Sequence, residues 1–217
     1  FAASSRRRRA LLAVLCLLGL GLFGSPPAHA ADGTWNVNAS GTWSSPANWL
    51  NGILADGADF TANFSNDITT TRTVTLDSNR TLGNLVFSDN GTSGSPWILN
   101  GSSGTTTLTL ATSGLAPHVT TATSVTIGTI LAGAQGLVKD GTGTLTLNCA
   151  NSYVGGTTIA GGTLQIGTSG RILGDITNDG ILRFDRFVAA PFEGTISGTG
   201  GVVSNCAFGS TTILTGD

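Results

Sequence analysis

The feature that most constrains the fold is a set of short Thr-rich segments separated by glycine turns within residues 136–166. Three of these segments alternate polar with apolar residues: Thr144–Leu147, Thr157–Ile159 and Thr163–Ile166. Such alternation is typical of a half-buried β-strand, whose successive side chains point to opposite faces. We therefore predict that the three segments are strands in one rung of a solenoid. The side chains predicted to point inward are Leu145, Leu147, Ile159, Leu164 and Ile166.

The same pattern recurs at a regular interval along the chain. The apolar centres of successive runs are Leu108, Ile127, Leu145, Leu164, Leu182 and Val202. A nearly constant period of about 20 residues with Gly-rich corners is typical of stacked β-coils, each of which depends on its neighbours to bury its apolar face. We predict an all-β fold, an elongated right-handed parallel β-helix (solenoid), in which the first five of these residues stack as a buried column.

A β-sandwich is the competing all-β architecture. Its strands recur at roughly 8 to 12 residues and are joined by hairpin turns. Asp-Gly and Asn-Gly pairs, which favour such turns, are few in this chain and lie mostly before residue 100. Hairpins are therefore expected mainly in that part of the chain.

Residues 136–166 also carry an ordered motif, G-L-x-K-x-G-x-G-T-L-T-L, then N-x-Y-x-G-G-T-T-I, then G-T-L-x-I. The motif resembles the autotransporter-associated β-strand repeat of secreted bacterial proteins. The matching positions are Gly136, Leu137, Lys139, Gly141, Gly143, Thr144, Leu145, Thr146, Leu147, Asn151, Tyr153, Gly155, Gly156, Thr157, Thr158, Ile159, Gly162, Thr163, Leu164 and Ile166. Cys149 stands where the repeat usually has glycine. A degenerate second copy begins at Gly198 and stops before its Asn-x-Tyr, so we expect the chain to be truncated inside a repeat.

Aromatic residues are concentrated near the amino terminus. Trp35, Trp43 and Trp49 lie close together in the sequence, and Trp97 is the fourth tryptophan. The segment resembles the entry cap that precedes the repeats of long secreted proteins, and a solenoid needs bulky side chains to close its open end. We predict an N-terminal β cap with the first β-coils over residues 31–100 and β-helix repeats over residues 101–217. A platform that stacks on sugars is the alternative use of these tryptophans.

Residues 1–30 have the organisation of a signal peptide. Four arginines at 6–9 precede an apolar run over residues 10–24 and a cleavage region that ends in Ala28-His29-Ala30. The run is shorter than the roughly 20 residues that span a bilayer, so an uncleaved anchor is the weaker interpretation. The residues that would mark a twin-arginine signal or a lipid attachment at Cys16 are absent. We predict export by the Sec pathway, cleavage after Ala30 and a secreted, extracellular or outer-surface location.

Removal of this segment leaves an acidic chain with few charges. Six basic and twelve acidic residues remain, which gives a net charge of −6. Negative charge argues against nucleic acid and anionic lipid as partners. Lys139 and Glu193 are the only lysine and the only glutamate of the chain, so Thr, Ser and Asn are expected on its outer faces. We predict a mature segment that does not span a membrane and whose partners are glycans or other cell-surface components.

Two cysteines remain after the signal segment is removed. Cys149 and Cys206 are separated in the sequence by about three predicted coils. Three strand spacings amount to about 14 Å, whereas the α-carbons of a disulfide lie within about 7 Å. We predict two separate thiols, with Cys149 buried as a small apolar group. Export to an oxidising compartment keeps pairing open as the alternative.

Residues suited to catalysis are sparse. His118 is the only histidine of the mature segment, and neither metal-ligand spacing nor a nucleophile elbow is present. The glycines at 141–143 and 198–201 precede strands without a following helix, so we interpret them as turn glycines, not as a phosphate cradle. We predict no catalytic, cofactor-binding or metal-binding residues, and no cofactor.

Four acidic residues are the best catalytic candidates: Asp175, Asp179, Asp185 and Glu193. Parallel β-helix enzymes that act on polysaccharides place carboxylates on adjacent rungs, where they bind calcium or serve as acid and base. Asp175 and Asp185 are about half a coil apart, so we expect them on different faces. Aspartates that solvate turns explain the set more simply. Arg183 and Arg186 lie beside Asp185 in the sequence, where simple surface ion pairs are one further interpretation.

Two classes of function remain. The resemblance implies a secreted structural or adhesive stalk similar to an autotransporter passenger, which requires repeats, export and polar faces. A polysaccharide-active lyase or glycoside hydrolase requires convergent carboxylates or a basic cleft, and the sequence shows neither. We predict the stalk, without enzymatic activity, and expect further carboxy-terminal domains in the same chain.

Overall fold

The computed structural model describes residues 30–186 and 192–205, so residues 1–29 of the predicted signal peptide and Cys206 lie outside the described residues. Short strands dominate this part of the chain, and none of its helices is long and apolar enough to cross a membrane. The strands are β1 (Gly33–Thr34), β2 (Gly41–Thr42), β3 (Gly57–Phe64), β4 (Arg72–Leu76), β5 (Arg80–Phe87), β6 (Trp97–Gly101), β7 (Thr107–Leu110), β8 (His118–Thr121), β9 (Val125–Gly128), β10 (Ile130–Ala132), β11 (Leu137–Asp140), β12 (Thr144–Leu147), β13 (Thr157–Ile159), β14 (Thr163–Ile166), β15 (Ile176–Asn178), β16 (Ile181–Phe184), β17 (Ile196–Ser197) and β18 (Gly201–Ser204). Two 3-10 turns span Pro46–Asn48 and Leu50–Gly52.

The strands form two sheets in which every pairing of strands is parallel. The first sheet has the order β1-β3-β5-β8-β11-β13-β15-β17, and the second has the order β2-β4-β6-β9-β12-β14-β16-β18. Each turn of the chain around the rod therefore adds one strand to each sheet. We call one such turn a coil. Coils 1 to 8 are β1/β2, β3/β4, β5/β6, β8/β9, β11/β12, β13/β14, β15/β16 and β17/β18. This topology confirms the parallel β-helix and excludes the sandwich.

A third, shorter side completes the coil where the chain returns from the second sheet to the first. The first half of β5 pairs with β7, and its second half pairs with β8. β7 pairs with β10, and farther along the rod the bridge between Ala150 and Arg171 is also parallel. These segments stack in the same direction as the two sheets.

The core is a continuous apolar column between the sheets. The five residues predicted to point inward from residues 136–166 are all fully buried. Leu145 pairs with Leu164, Leu164 with Leu182, and Leu182 with Val202, as the spacing predicted. The three predicted strands begin and end at the predicted residues.

The predicted column is wrong at its first two members. Ile127 pairs with Leu147, whereas Val125 is the partner of Leu145. Leu108 lies in β7 of the first sheet, where it pairs with Leu131. Both residues are nevertheless buried. Ile127 is shifted by two residues along its strand, which keeps its side chain on the inward face, and Leu108 packs inward from β7.

Residues 136–166 contain two coils and not one rung. β11 precedes the three predicted strands, and its inward residues are Leu137 and Lys139. A lysine at an inward position interrupts the apolar alternation, which is why the sequence pattern did not reveal this strand.

The short, regular coils predicted from the sequence begin only at coil 4. Earlier coils are longer, as the pairing of Leu85 in coil 3 with Val119 in coil 4 shows. Parallel stacking nevertheless extends back to β1, so the hairpins expected before residue 100 are wrong for the described residues. Antiparallel pairing there is limited to two isolated bridges, one between Ala31 and Asp56 and one between Trp35 and Trp49.

Leu164→Ala tests the packing of the core column. Leu164 is fully buried between Leu145 and Leu182, so the truncation should lower the free energy of unfolding by about 2 to 5 kcal/mol. Thr146→Ala, on the outward face of the neighbouring strand, is the matched control and should change it by less than about 0.5 kcal/mol. Urea unfolding followed by circular dichroism measures both. A loss below about 1 kcal/mol for Leu164→Ala would contradict a packed column.

Candidate functional site

The amino-terminal tryptophans form a buried cluster around Phe64. Trp35 and Trp43 are fully buried, Trp49 is 3% exposed, and their ring centroids lie 5.6 to 6.1 Å from that of Phe64. Trp43 Nε1 donates to the carbonyl of Ala55 at 3.0 Å, and Trp49 Nε1 donates to that of Trp43 at 2.7 Å. Protein atoms cover the ring faces, so these side chains offer no platform for stacking on a sugar.

Residues 48–56 cover the outer edge of β1. Asn36 donates its amide to the carbonyl of Asn48, and Ala31 and Asp56 exchange two backbone hydrogen bonds of 2.8 and 3.1 Å. Arg80, from coil 3, holds this segment through an ion pair of 2.8 Å with Asp56. The edge that β1 would otherwise present to solvent is therefore occupied by the chain itself.

The acidic candidates serve as hydrogen-bond acceptors between neighbouring coils. Asp175 Oδ1 accepts the amide of Thr195 at 2.9 Å, and this hydrogen bond lowers the pKa of Asp175. Asp179 Oδ1 accepts both the amide and the hydroxyl of Thr199, at 3.0 and 3.1 Å. Each partner lies at the equivalent position of the next coil.

Asp185 also accepts hydrogen bonds from the neighbouring coils. Its carboxylate accepts from Gln165 Nε2 at 3.0 Å and from Asn205 Nδ2 at 3.3 Å, in the coils on either side. Arg186 is 2% exposed, with its guanidinium carbon 5.3 Å from the ring centroid of Phe184. The prediction of Arg186 as a surface residue is therefore wrong.

The structure brings together only two of the four acidic candidates. Asp175 and Glu193 line a cleft of about 170 Å³, together with Arg171 and Phe192. Asp179 and Asp185 lie outside this cleft. Asp175 precedes β15 of the first sheet and Asp185 follows β16 of the second, which confirms that they emerge on different faces.

His118 lies on a strand and contacts a carboxylate of the next coil. It begins β8, and its Nδ1 contacts Asp140 Oδ2 in the next coil. Such a contact orients an imidazole, but within residues 30–186 and 192–205 no side chain is hydrogen bonded to its Nε2. The same residues contain no cluster of three or more side chains suited to binding a metal.

Asp89 is a carboxylate that the sequence did not single out. Its burial opposes ionisation, but hydrogen bonds from Ser93, Ser95, Gly91 and Ile68 outweigh that effect and lower its pKa to about 2. All four donors lie in or beside the loop between β5 and β6 or precede β4. The shift reflects a carboxylate that organises loops, not a paired acid and base.

Lys139 is the most unusual polar residue of the structure. It points inward from β11 and is fully buried. Its Nζ donates to the carbonyls of Asp140, Gly141 and Gly161, at 2.8, 3.0 and 3.0 Å. Burial disfavours the ammonium and lowers the pKa of Lys139 from 10.5 to about 8, although the charge of Asp140 acts in the opposite direction.

Glycines in the turn between β11 and β12, just after Lys139, allow the coils to approach closely. A Cβ on Gly143 would lie 2.2 Å from the carbonyl oxygen of Thr123 in the coil below. On Gly141, whose φ is +77°, it would lie 2.3 Å from the carbonyl oxygen of Thr121. The G-x-G of the motif is therefore required by stacking, as the interpretation of turn glycines predicted.

The N-x-Y of the motif serves the opposite corner. Asn151 is 4% exposed; its Oδ1 accepts the amide of Leu131, and its Nδ2 donates to the carbonyls of Cys149 and Arg171. Tyr153 is fully buried and hydrogen bonded to Thr157 Oγ1 at 2.9 Å, and burial raises its pKa. Both side chains hold coils together and neither faces solvent.

Cys149 is a free thiol in the described residues, and it is half-buried instead of buried. Partial burial raises the pKa of the thiol, so it carries little thiolate at neutral pH. Its predicted separation from Cys206 stays a prediction.

The titration of Lys139 tests whether its ammonium group is buried. Lys139 is the only lysine, so a sample labelled with [¹³C]lysine gives a single side-chain Cε signal, which should titrate with a midpoint near pH 8. Because the unfolded chain keeps this proton up to the ordinary pKa of 10.5, the free energy of unfolding should rise between pH 8 and 10.5 relative to Lys139→Met. A midpoint near 10.5 would place the ammonium in water.

Comparisons with known proteins agree with this geometry. Residues 137–166 match the family model of the passenger-associated-transport-repeat. The chain is also 39% identical over 150 residues to the adhesin BmaC autotransporter of Brucella suis biovar 1 (strain 1330). That alignment covers 67% of this chain and 4% of the adhesin, so the chain spans a small part of the length of this relative. No solved structure matches it.

The family model begins at the first residue of β11 and ends at the last residue of β14. Gly141, Gly143, Asn151 and Tyr153, which pack at the two turns of the coil, all lie within the matched residues. The chain therefore contains an autotransporter passenger repeat, which occupies coils 5 and 6 of a parallel β-helix.

Proposed function

We propose that the chain is part of a secreted, passenger-like adhesive stalk without enzymatic activity. The observation that carries this proposal is that carboxylates, amides and the single lysine bond neighbouring coils instead of converging on a reactive centre. The similarity to an adhesin supports the adhesive role. Export by the Sec pathway, cleavage after Ala30 and further carboxy-terminal domains complete the proposal.

The stacked coils make a rod. Eight coils at a strand spacing of about 4.8 Å extend about 34 Å from the first to the last. Parallel pairing is continuous from coil 1 to coil 8, so this segment suits a spacer that holds a binding surface away from its attachment.

The N-terminal β cap fits the same proposal. Residues 48–56 occupy the outer edge of β1, and the tryptophan cluster fills the end of the core. Together they protect an edge strand that would otherwise recruit other chains. We place the cap and first coils in residues 31–100 and the repeats in residues 101–217.

The outward face of the second sheet is the adhesive surface that we propose. Between β9 and β14 it presents uncharged, half-exposed side chains: Thr126, Thr144, Thr146, Thr163 and Gln165. The outward face of the first sheet instead carries His118 and Asp140, with Asp179 just beyond β15. A flat neutral array that can donate and accept hydrogen bonds suits glycans, whose hydroxyls need partners and carry no charge to neutralise.

Paired charge substitutions test this face. The double variant Thr126→Glu/Thr146→Glu places carboxylates on the second sheet and should weaken binding to cell surfaces or a glycan array at least tenfold. The matched variant Thr158→Glu/Thr177→Glu adds the same charge to the outward face of the first sheet and should leave binding unchanged. Equal losses in both variants would contradict the assignment to one face.

Incubation of the same protein with acidic and neutral polysaccharides, with and without calcium, tests the enzymatic alternative. If the chain is a stalk, we expect it to bind polysaccharides without cleaving them. Release of reducing ends or unsaturated products that is lost in Asp175→Ala or Asp179→Ala would establish the enzyme instead.

A further inference from the structure

The interfaces between consecutive coils are not equivalent in their buried polar contacts. Lys139 and Asn178 occupy the same inward column of the first sheet, two coils apart, because Lys139 pairs with Ile159 and Ile159 pairs with Asn178. Lys139 is fully buried and Asn178 is 1% exposed. The side chain of Ile159, between them, has no polar group.

Both polar side chains form hydrogen bonds with backbone groups just after their own strand and with a backbone group at the equivalent position of the following coil. Lys139 Nζ bonds the carbonyls of Asp140 and Gly141 in coil 5 and that of Gly161 in coil 6. Asn178 Oδ1 accepts the amide of Gly180 in coil 7, and its Nδ2 donates to the carbonyl of Gly201 in coil 8 at 3.0 Å. A buried ammonium or amide that lost its partner in the next coil would be left unsatisfied, which is costly.

The opposite corner strengthens the junction of coils 5 and 6 further. The buried Asn151, in the return segment of coil 5, donates to the carbonyl of Arg171 in the return segment of coil 6 at 3.1 Å. At the junction of coils 7 and 8, the carboxylates of Asp175, Asp179 and Asp185 accept additional hydrogen bonds from coil 8.

The junction of coils 6 and 7 differs from both. Among the described residues, one side-chain hydrogen bond crosses it, from Gln165 Nε2 to Asp185 Oδ2, on the half-exposed outer face of the second sheet. Otherwise backbone bonds hold it, such as those from Asp179 to Ile159 and from Ile181 to Gly162.

We propose that coils 5 and 6 form one linked pair and coils 7 and 8 another, and that this part of the rod opens first between the two pairs, at the junction of coils 6 and 7. The family model covers one such pair, since residues 137–166 are coils 5 and 6. Opening at any junction exposes apolar core side chains such as Leu164 and Leu182. Among the described residues, opening between these two pairs breaks in addition only backbone bonds and one surface side-chain bond, whereas opening within either pair leaves a buried polar side chain without its partner.

Three amides at equivalent register positions report on the three junctions. Thr163, Ile181 and Gly201 pair in succession and donate to the carbonyls of Gly143, Gly162 and Gly180. Native-state hydrogen exchange on the complete chain, corrected for intrinsic rates, should give the lowest protection at Ile181. The expected deficit relative to both other amides is about tenfold or more, the effect of one buried charged or amide hydrogen bond.

The order of protection separates this proposal from simple fraying. Fraying from the carboxy-terminal side predicts that hydrogen-exchange protection decreases steadily from the amide of Thr163 to that of Ile181 and then to that of Gly201. Paired coils predict that Gly201 is better protected than Ile181. A steady decrease, or equal protection at all three, would overturn the proposal.

Variants at the two buried positions provide a second test. Lys139→Met should lower protection at Thr163 to the level of Ile181 and leave Gly201 unchanged, whereas Asn178→Leu should lower protection at Gly201 and leave Thr163 unchanged. Gln165→Ala, at the surface bond, is the control and should change Ile181 less than threefold. If either buried variant fails to fold, the order measured in the unmodified chain decides the question.

Discussion

Backbone hydrogen bonding between parallel coils is the interaction on which the rest of this structure depends. It fixes a spacing of about 4.8 Å from coil to coil, and every other feature must accommodate that distance. Glycine is required at Gly143 because a Cβ there would collide with the carbonyl oxygen of Thr123. Leu164 is buried because the strands above and below place leucines at the same register. Side chains such as Asp179 find a partner at the equivalent position one coil away.

This arrangement also accounts for the positions of several carboxylates and of the single lysine. Asp175 and Asp179 accept hydrogen bonds from the next coil, and Lys139 is enclosed by three carbonyls. Their polar atoms are committed to stacking, and between β9 and β14 the outward face of the second sheet presents Thr and Gln side chains. Function then depends on the length of the rod and on the flat surfaces of its sheets, as we propose for an adhesive stalk.

The sequence predicted the later coils well and the earlier ones poorly, for physical reasons. Alternation in Thr144–Leu147 and Thr163–Ile166 located these strands because every inward position is apolar. β11 escaped notice because its inward Lys139 is polar, and only the structure shows the carbonyls that make burial tolerable. The interval from Leu108 to Ile127 matched the period by coincidence, since these residues lie in different sheets. Handedness and the role of the cap stay predictions.

The most direct test of the central claim is a series of distances along the outward column of the second sheet. Thr73, Ile98, Thr126, Thr146, Gln165, Arg183 and Val203 pair in succession in this column. With native cysteines replaced by serine and one spin label at Thr73, moving a second label from Gln165 to Arg183 to Val203 should give distances of about 19, 24 and 29 Å by pulsed electron paramagnetic resonance. Distances that fail to grow by about one strand spacing per step would contradict parallel stacking of the coils.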